Sequence, residues 1–93
     1  MVGVWRHRMT SYKLLYTKTA SQDIRQLDVV TKKRLKKKLG LFALDPLKYA
    51  TKLSNSAIGT YRWRVGSYRV IFDVDRSNIV ILRVGHRREI YKK

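Results

Sequence analysis

Arg62, Arg64 and Arg69 are the residues in this sequence whose spacing most directly suggests chemistry. They flank Gly66-Ser67, a two-residue loop with glycine first, which suits a type II′ hairpin turn. That turn would set Val65 opposite Tyr68, Arg64 opposite Arg69, Trp63 opposite Val70, Arg62 opposite Ile71 and Tyr61 opposite Phe72. Side chains alternate along a strand, so Tyr61, Trp63, Val65, Tyr68, Val70 and Phe72 share the core face. The other face carries the three arginines with Ile71. Like charges directly opposed, as Arg64 and Arg69 would be, cost about a few tenths of a kcal/mol or more. A solvated basic face is the ordinary meaning of one such pair. Here Arg83 and Arg87, from the segment that follows, converge on the same face. A phosphate among several guanidiniums would turn their repulsion into bidentate attraction. The pattern favours an anion site.

His86 and Tyr91 follow closely, and each carries a proton that could be moved. His86 alone is more often a surface residue than a catalytic one, and Tyr91 with Ile90 could simply pack on the sheet edge. His7 lies far away in sequence, so no metal-ligand spacing exists, and the chain contains no cysteine. A second basic group, Lys32, Lys33, Arg34, Lys36, Lys37 and Lys38, contains no acid. Such a run usually marks a solvated helix face, yet unrelieved like charge is poor helix design. It is suited to gripping a nucleic-acid backbone without reading sequence. Arg88, Lys92 and Lys93 read as solvated charge.

The elements that must position these groups follow from periodicity. Tyr12 to Tyr16 reads as a short strand. Thr19 to Gln22 has the form of a capping box with Thr19 as N-cap, and Ala20, Ile24 and Leu27 form one helical face. Asp28 caps a second helix from about Val30 to Leu44, with Leu35, Leu39 and Phe42 as its apolar stripe. Asp45-Pro46 ends it. Residues 47 to 58 read as irregular, anchored by Leu53. Tyr61 to Val65, Tyr68 to Asp73 and Asn78 to Val84 are strands, and continued alternation would put Val80, Leu82 and Val84 in the core. The expected fold is α+β, an N-terminal strand, a helical hairpin and a three-stranded antiparallel meander, with the helices on one face of a small sheet.

The whole chain, residues 1–93, reads as one domain, since 93 residues leave no room for a second core. Met1 to Thr10 reads either as a flexible arm or as an extension upstream of a start at Met9. Lysine plus arginine number 22 against 6 acids, a formal charge of +16. That balance implies a polyanionic partner: nucleic acid first, an acidic protein second, an anionic membrane third. A hydrophobic content of 44% argues against a disordered basic tail. The longest apolar runs fall far short of the ~20 residues that span a bilayer, and no signal-peptide pattern is present. The cytoplasm is the expected compartment.

Two stretches, Gly59-Thr60-Tyr61-Arg62-Trp63-Arg64-Val65-Gly66-Ser67-Tyr68-Arg69-Val70-Ile71-Phe72 and Val84-Gly85-His86-Arg87-Arg88-Glu89-Ile90-Tyr91, give the sequence its family likeness. With the strand–helix–helix–three-strand order, the chain resembles the RelE/ParE toxin superfamily from Tyr12 to Tyr91. RelE-like members are toxins of toxin–antitoxin pairs that cleave mRNA in the ribosomal A site. ParE-like members share the fold but act on DNA gyrase without cutting RNA. The resemblance carries the basic hairpin positions onto Arg62 and Arg64, where RelE has lysines, and the transition-state arginine onto Arg69. Arg87 takes the arginine after Gly-Lys, with His86 at the lysine position. Tyr91 takes the C-terminal tyrosine, two residues closer to the glycine than in the family.

The resemblance further implies a metal-independent endoribonuclease without cofactor. The RNA 2′-OH would attack the adjacent phosphorus and leave a 2′,3′-cyclic phosphate. Arg64, Arg69 and Arg87 would neutralise the charge that builds up, with Tyr91 or His86 as base. Arg62, Arg83 and the basic group from Lys32 to Lys38 would hold RNA. The implied partners are mRNA, the ribosome and an acidic cognate antitoxin, assembled as a heterotetramer or a larger complex. The alternative is a gyrase inhibitor that binds without catalysis.

Overall fold

Strand β1 (Lys13–Tyr16) leads into helices α1 (Lys18–Arg25) and α2 (Val29–Phe42), followed by strands β2 (Thr51–Lys52), β3 (Tyr61–Val65), β4 (Tyr68–Asp75) and β5 (Asn78–His86). The computed structural model describes residues 12–54 and 57–91. The reading of Met1 to Thr10 lies outside the described residues. The strands form one sheet in the order β1-β5-β4-β3-β2. Strands β2 to β5 are antiparallel neighbours, whereas β1 lies parallel to β5 at the far edge. The sheet is therefore mixed. Within the segment read as irregular, Thr51 and Lys52 pair with Arg62 and Tyr61. Leu53 is half-buried, and its N–H donates to the Thr60 carbonyl at 2.8 Å.

Helix α1 begins two residues before the expected capping box. Thr17 is the N-cap, and its hydroxyl accepts from the Ala20 N–H at 3.0 Å. The same hydroxyl donates to the Leu82 carbonyl at 3.2 Å, and the Thr17 N–H donates to the Ile81 carbonyl at 3.1 Å. These ties to β5 explain why Thr17 rather than Thr19 starts the helix. Beyond the end of β1, the free edge of β5 is met by α1, where the Asp23 carboxylate accepts from the Val84 N–H at 2.9 Å. Helix α2 starts at Val29 behind Asp28, within a residue of the expected start, but it ends at Phe42, short of Leu44, and the Asp28 side chain makes no N-cap hydrogen bond. The Thr31 hydroxyl, chiefly, holds the exposed Asp28 carboxyl below its ordinary pKa.

The core lies between the helices and one face of the sheet. Ala20, Leu35, Leu39 and Phe42 from the helices meet Trp63, Val65, Val70, Phe72, Ile79, Ile81 and Val84 from the strands. Trp63 is its centre. Its ring stacks on Phe72 at 3.9 Å between centroids and lies 5.0 Å from Phe42. The Trp63 Nε1–H donates to the buried Pro46 carbonyl at 2.9 Å, which pins the chain after α2 to β3. A donor so far inside the apolar layer would otherwise be costly, so the Asp45-Pro46 turn satisfies the ring as well as ending the helix.

Strand β5 departs from simple alternation. Val70 pairs with Val84 and Ile71 with Arg83, but Phe72 pairs with Ile81, so Leu82 is an extra residue on β5. This bulge reverses the parity of the earlier half of the strand. Ile79 and Ile81 are fully buried in place of Val80 and Leu82, while Val84 stays in the core as expected. A run of four consecutive aliphatics, Ile79 to Leu82, offers an apolar side chain in either frame, which is why alternation alone misplaced them.

The face away from the helices is partly apolar. Ile71 is fully buried there and Ile90 is 5% exposed, both outside the main core cluster. Gly59 crosses above Ile71 with φ +151°, and a side chain there would collide with the Ile71 methyl and press on Leu82. Gly59→Ala is therefore expected to lower stability by about 1–3 kcal/mol, through both backbone strain and overpacking. Urea unfolding of the variant checks this. Among the described residues no helix is long and apolar enough to cross a membrane.

Candidate active site

The Gly66-Ser67 turn forms as expected. Gly66 adopts φ +60° while Ser67 does not enter the left-handed region, consistent with a type II′ turn. Arg64 pairs directly with Arg69, and Arg62 with Ile71, so the three arginines share the face opposite the helices. After β5 the chain turns back. The Arg87 N–H donates to the Ser67 carbonyl at 2.8 Å, and the Glu89 and Ile90 N–H groups donate to the His86 carbonyl at 2.8 and 2.9 Å. Ile90 packs against Gly85, the partner of Arg69. Burying Ile90 brings the next residue over the sheet, where Tyr91 Oη accepts from Arg62 Nη1 at 3.0 Å. The hairpin turn thus anchors the last turn of chain, and that turn delivers the phenol to the arginines.

Arg69 is the buried member, at 7% exposure. Its Nη1 donates to the Gly66 and Tyr68 carbonyls, both at 3.1 Å, which aims the guanidinium toward the hairpin turn. Among the described residues no acceptor meets its Nη2 or Nε. Burial lowers the Arg69 pKa most, the charges of Arg64 and Arg62 lower it further, and Arg87 adds to them, with Tyr91 alone opposing. Guanidinium remains protonated regardless. The direction means that the fold holds a cation where burial and neighbouring charge both disfavour it. An anion bound there would relieve both penalties.

The remaining residues singled out in the sequence are dispersed. His86 pairs with Tyr68 and stands edge-on to its ring at 5.5 Å between centroids. Since paired residues share a face, that places the imidazole on the helix side of the sheet, away from Arg69. Its Nδ1 accepts from the Arg88 N–H at 3.1 Å. Arg83 is 45% exposed and forms an ion pair with Asp23, Nε to Oδ2 at 2.8 Å and Nη2 to Oδ1 at 3.3 Å. That partner raises its pKa, as an engaged cation requires. Asp23 is the residue sequence reasoning missed here, because its role arises from an open strand edge that only the parallel placement of β1 creates.

On α2, Lys33, Arg34, Lys36, Lys37 and Lys38 are exposed and Lys32 is half-buried. Arg34 bridges to the hairpin: its Nη1 lies 3.2 Å from where a Gly66 side chain would begin. Lys32 and Lys36, with Arg25 of α1, rim a cleft between the two helices. The cleft encloses about 590 Å³ over Tyr16, Ile24, Leu35 and Leu39.

Comparison with known proteins places this architecture. A family model described as the ParE toxin of a type II toxin–antitoxin system, parDE, matches residues 14–91. The chain belongs to the RelE/ParE toxin superfamily. It is similar to the toxin RelG of Mycobacterium tuberculosis, 31% identical over 85 residues that cover 88% of this chain and 98% of that one. It is similar also to the toxin RelE3 of Methanocaldococcus jannaschii, 32% identical over 83 residues covering 85% and 94%. Among solved structures, the toxin–antitoxin complex RelBE2 of Mycobacterium tuberculosis matches with TM-score 0.75 and 30% identity, covering 83% of this chain and 99% of that chain. This toxin therefore shares the superfamily's strand and helix order over nearly its full described length, including both segments that carry the arginines and Tyr91.

Proposed function

We propose that this toxin is a ribosome-dependent mRNA endonuclease that cleaves in the A site without metal. The observation that supports this most directly is the buried Arg69, held beside Arg64, Arg62 and Arg87 and within reach of Tyr91. A phosphate entering the cluster places its non-bridging oxygens against guanidinium donors, which stabilise the additional negative charge of the pentacoordinate state. Tyr91 is the base. The hydrogen bond from Arg62 holds its Oη over the arginine face, where it takes the proton of the attacking 2′-OH. The 2′-oxygen bonds to phosphorus, the bond to the 5′-oxygen breaks, that oxygen takes a proton from water and leaves as the 5′-hydroxyl of the downstream fragment, and a 2′,3′-cyclic phosphate remains on the upstream one. His86 faces Tyr68 across the sheet, so Tyr91 rather than His86 fits the part. The lysine-rich face of α2 holds the ribosomal RNA backbone, with Arg34 joining it to the hairpin.

The cognate antitoxin is an acidic segment that folds on the toxin, its apolar side chains in the cleft between α1 and α2 and its carboxylates against Arg25, Lys32 and Lys36. A gyrase inhibitor of the ParE kind is the second reading, since the matching family model is a ParE one. Primer extension on a reporter mRNA after brief induction separates the two. New 5′ ends inside translated codons are expected from the native toxin, weakened about 10²- to 10⁴-fold by Tyr91→Phe. Intact mRNA with arrested growth would favour gyrase, and undiminished cleavage by Tyr91→Phe would remove Tyr91 from the mechanism.

A further inference from the structure

Arg87 and Tyr91 lie beyond β5 on one turn of chain. The Ile90 N–H closes an α-type turn on the His86 carbonyl at 2.9 Å, and the Glu89 N–H shares that oxygen at 2.8 Å. The two N–H groups before them have no acceptor within the turn. That of Arg87 goes to the hairpin, at the Ser67 carbonyl. That of Arg88 goes to Nδ1 of His86 at 3.1 Å. His86, the last residue of β5, therefore has the geometry of an N-cap. Its backbone is extended, its carbonyl takes the bond from the residue four on, and its side chain takes the N–H of the residue two on.

Histidine is an uncommon cap, since Asn, Asp, Ser and Thr are the residues favoured there. A ring nitrogen that accepts carries no proton, so this imidazole is neutral with its hydrogen on Nε2. The ring also stands edge-on to Tyr68 of the hairpin. With Asp23, Gln26 and Leu27 of α1 it lines a concavity of about 270 Å³. That surrounding keeps it on the helix side of the sheet, out of reach of a phosphate among the arginines. Its influence on the arginine face must pass through the turn. Arg87 is held to the hairpin by its own N–H, so the part that depends on the cap is the part beyond it. There Tyr91 is 41% exposed and is tied to the sheet by the hydrogen bond from Arg62. A phenol so placed is only as well seated as the backbone that precedes it.

We infer that His86 is a positioning residue, whose Nδ1 caps the last turn and so fixes Tyr91 over the arginines. The inference rests on the reading of Tyr91 as the base and gives His86 a part that moves no proton. Without the cap the Arg88 N–H is left to water, the turn opens from its first residues, and Tyr91 spends less time beside Arg62. Two substitutions separate the cap from the ring. His86→Asn puts an amide oxygen where Nδ1 stands and removes the ring. His86→Phe keeps a ring against Tyr68 and offers no acceptor.

The cap is read first by NMR, apart from catalysis. In the native toxin the imidazole nitrogen shifts are expected to show the hydrogen on Nε2, a reading that needs no variant to fold. Exchange of the Arg88 amide is expected to quicken about tenfold or more in His86→Phe and to slow again in His86→Asn. The ribosomal assay follows. There kcat for mRNA cleavage is expected to fall about tenfold in His86→Phe at unchanged KM, and to recover to within about twofold of native in His86→Asn. In a Tyr91→Phe background His86→Phe is expected to cost nothing further, because it acts through that phenol. A hydrogen on Nδ1, or Arg88 exchange indifferent to His86→Phe, overturns the cap. Full cleavage by His86→Phe with loss in His86→Asn overturns it in favour of ring packing. Loss in both variants with Arg88 protection kept in His86→Asn overturns it in favour of chemistry by the imidazole itself. A native toxin that cuts no mRNA removes the nuclease reading, and the NMR readings then decide the cap alone.

Discussion

On the proposed nuclease reading, Arg69→Met is expected to slow mRNA cleavage about 10²–10³-fold while leaving the toxin as stable as before or more so. The activity loss follows from the site's electrostatics. A single preorganised donor aimed at developing charge is worth about 10²–10³ in rate, and Arg69 is the donor with the least freedom to move, being buried and fixed by two carbonyls. The stability gain follows from the same facts. Burial and three neighbouring arginines oppose the charge at Arg69, and replacing a disfavoured buried ion by an apolar side chain of similar length is often stabilising. The Gly66 carbonyl belongs to an exposed turn, so water can take the place of the lost donor there. Thermal unfolding and a ribosomal cleavage assay on one preparation test both halves. A fall in midpoint together with a modest loss of cleavage would make Arg69 a structural residue instead. A gain in stability with full toxicity would point to a target other than mRNA.

Trp63→Ala is expected to be the most damaging single change to the fold, costing about 3–5 kcal/mol. Small domains are held by about 5–15 kcal/mol in all, so such a loss approaches the whole. Three contributions disappear together: the fully buried indole, its stacking on Phe72, and the hydrogen bond to the Pro46 carbonyl. Trp63→Phe separates them, since it retains most of the apolar volume and loses the donor, and a cost of about 1–3 kcal/mol is expected from the orphaned carbonyl and reduced packing. Chemical denaturation of the two variants provides the comparison. Equal, small costs would mean that the centre of the core lies elsewhere.

The hairpin was legible in the sequence because every local signal there agreed. Glycine first in a two-residue loop, strict alternation on both sides and arginine on one parity leave one register, and that register holds from Tyr61 to Phe72. Helix α2 was legible for the same reason, through Leu35, Leu39 and Phe42 at helical spacing. The parts that were not legible depend on partners distant in the chain. The bulge at Leu82 is hidden in a run of aliphatics that fits either frame. Thr17 outcompetes Thr19 as N-cap because of the β5 backbone, which local sequence does not contain. The separation of His86 from the arginines follows from its pairing with Tyr68, and the capture of Arg83 by Asp23 from an open strand edge.

The parallel pairing of β1 with β5 bears on how the toxin is made. Lys13 meets Asn78 and Tyr16 meets Ile81, a separation of 65 residues in each case. Closing so long a loop is slow, and it must wait until the partner strand exists. During synthesis, therefore, the first strand and both helices emerge with their apolar faces unmatched, since most of the core beneath them comes from β3, β4 and β5. The cluster of arginines with Tyr91 is later still, because Arg87 and Tyr91 follow β5. The sheet and the cluster are therefore completed together, once β5 and the residues after it have been made. Until then the apolar residues of both helices, Leu35 and Leu39 among them, stand open to a binding partner.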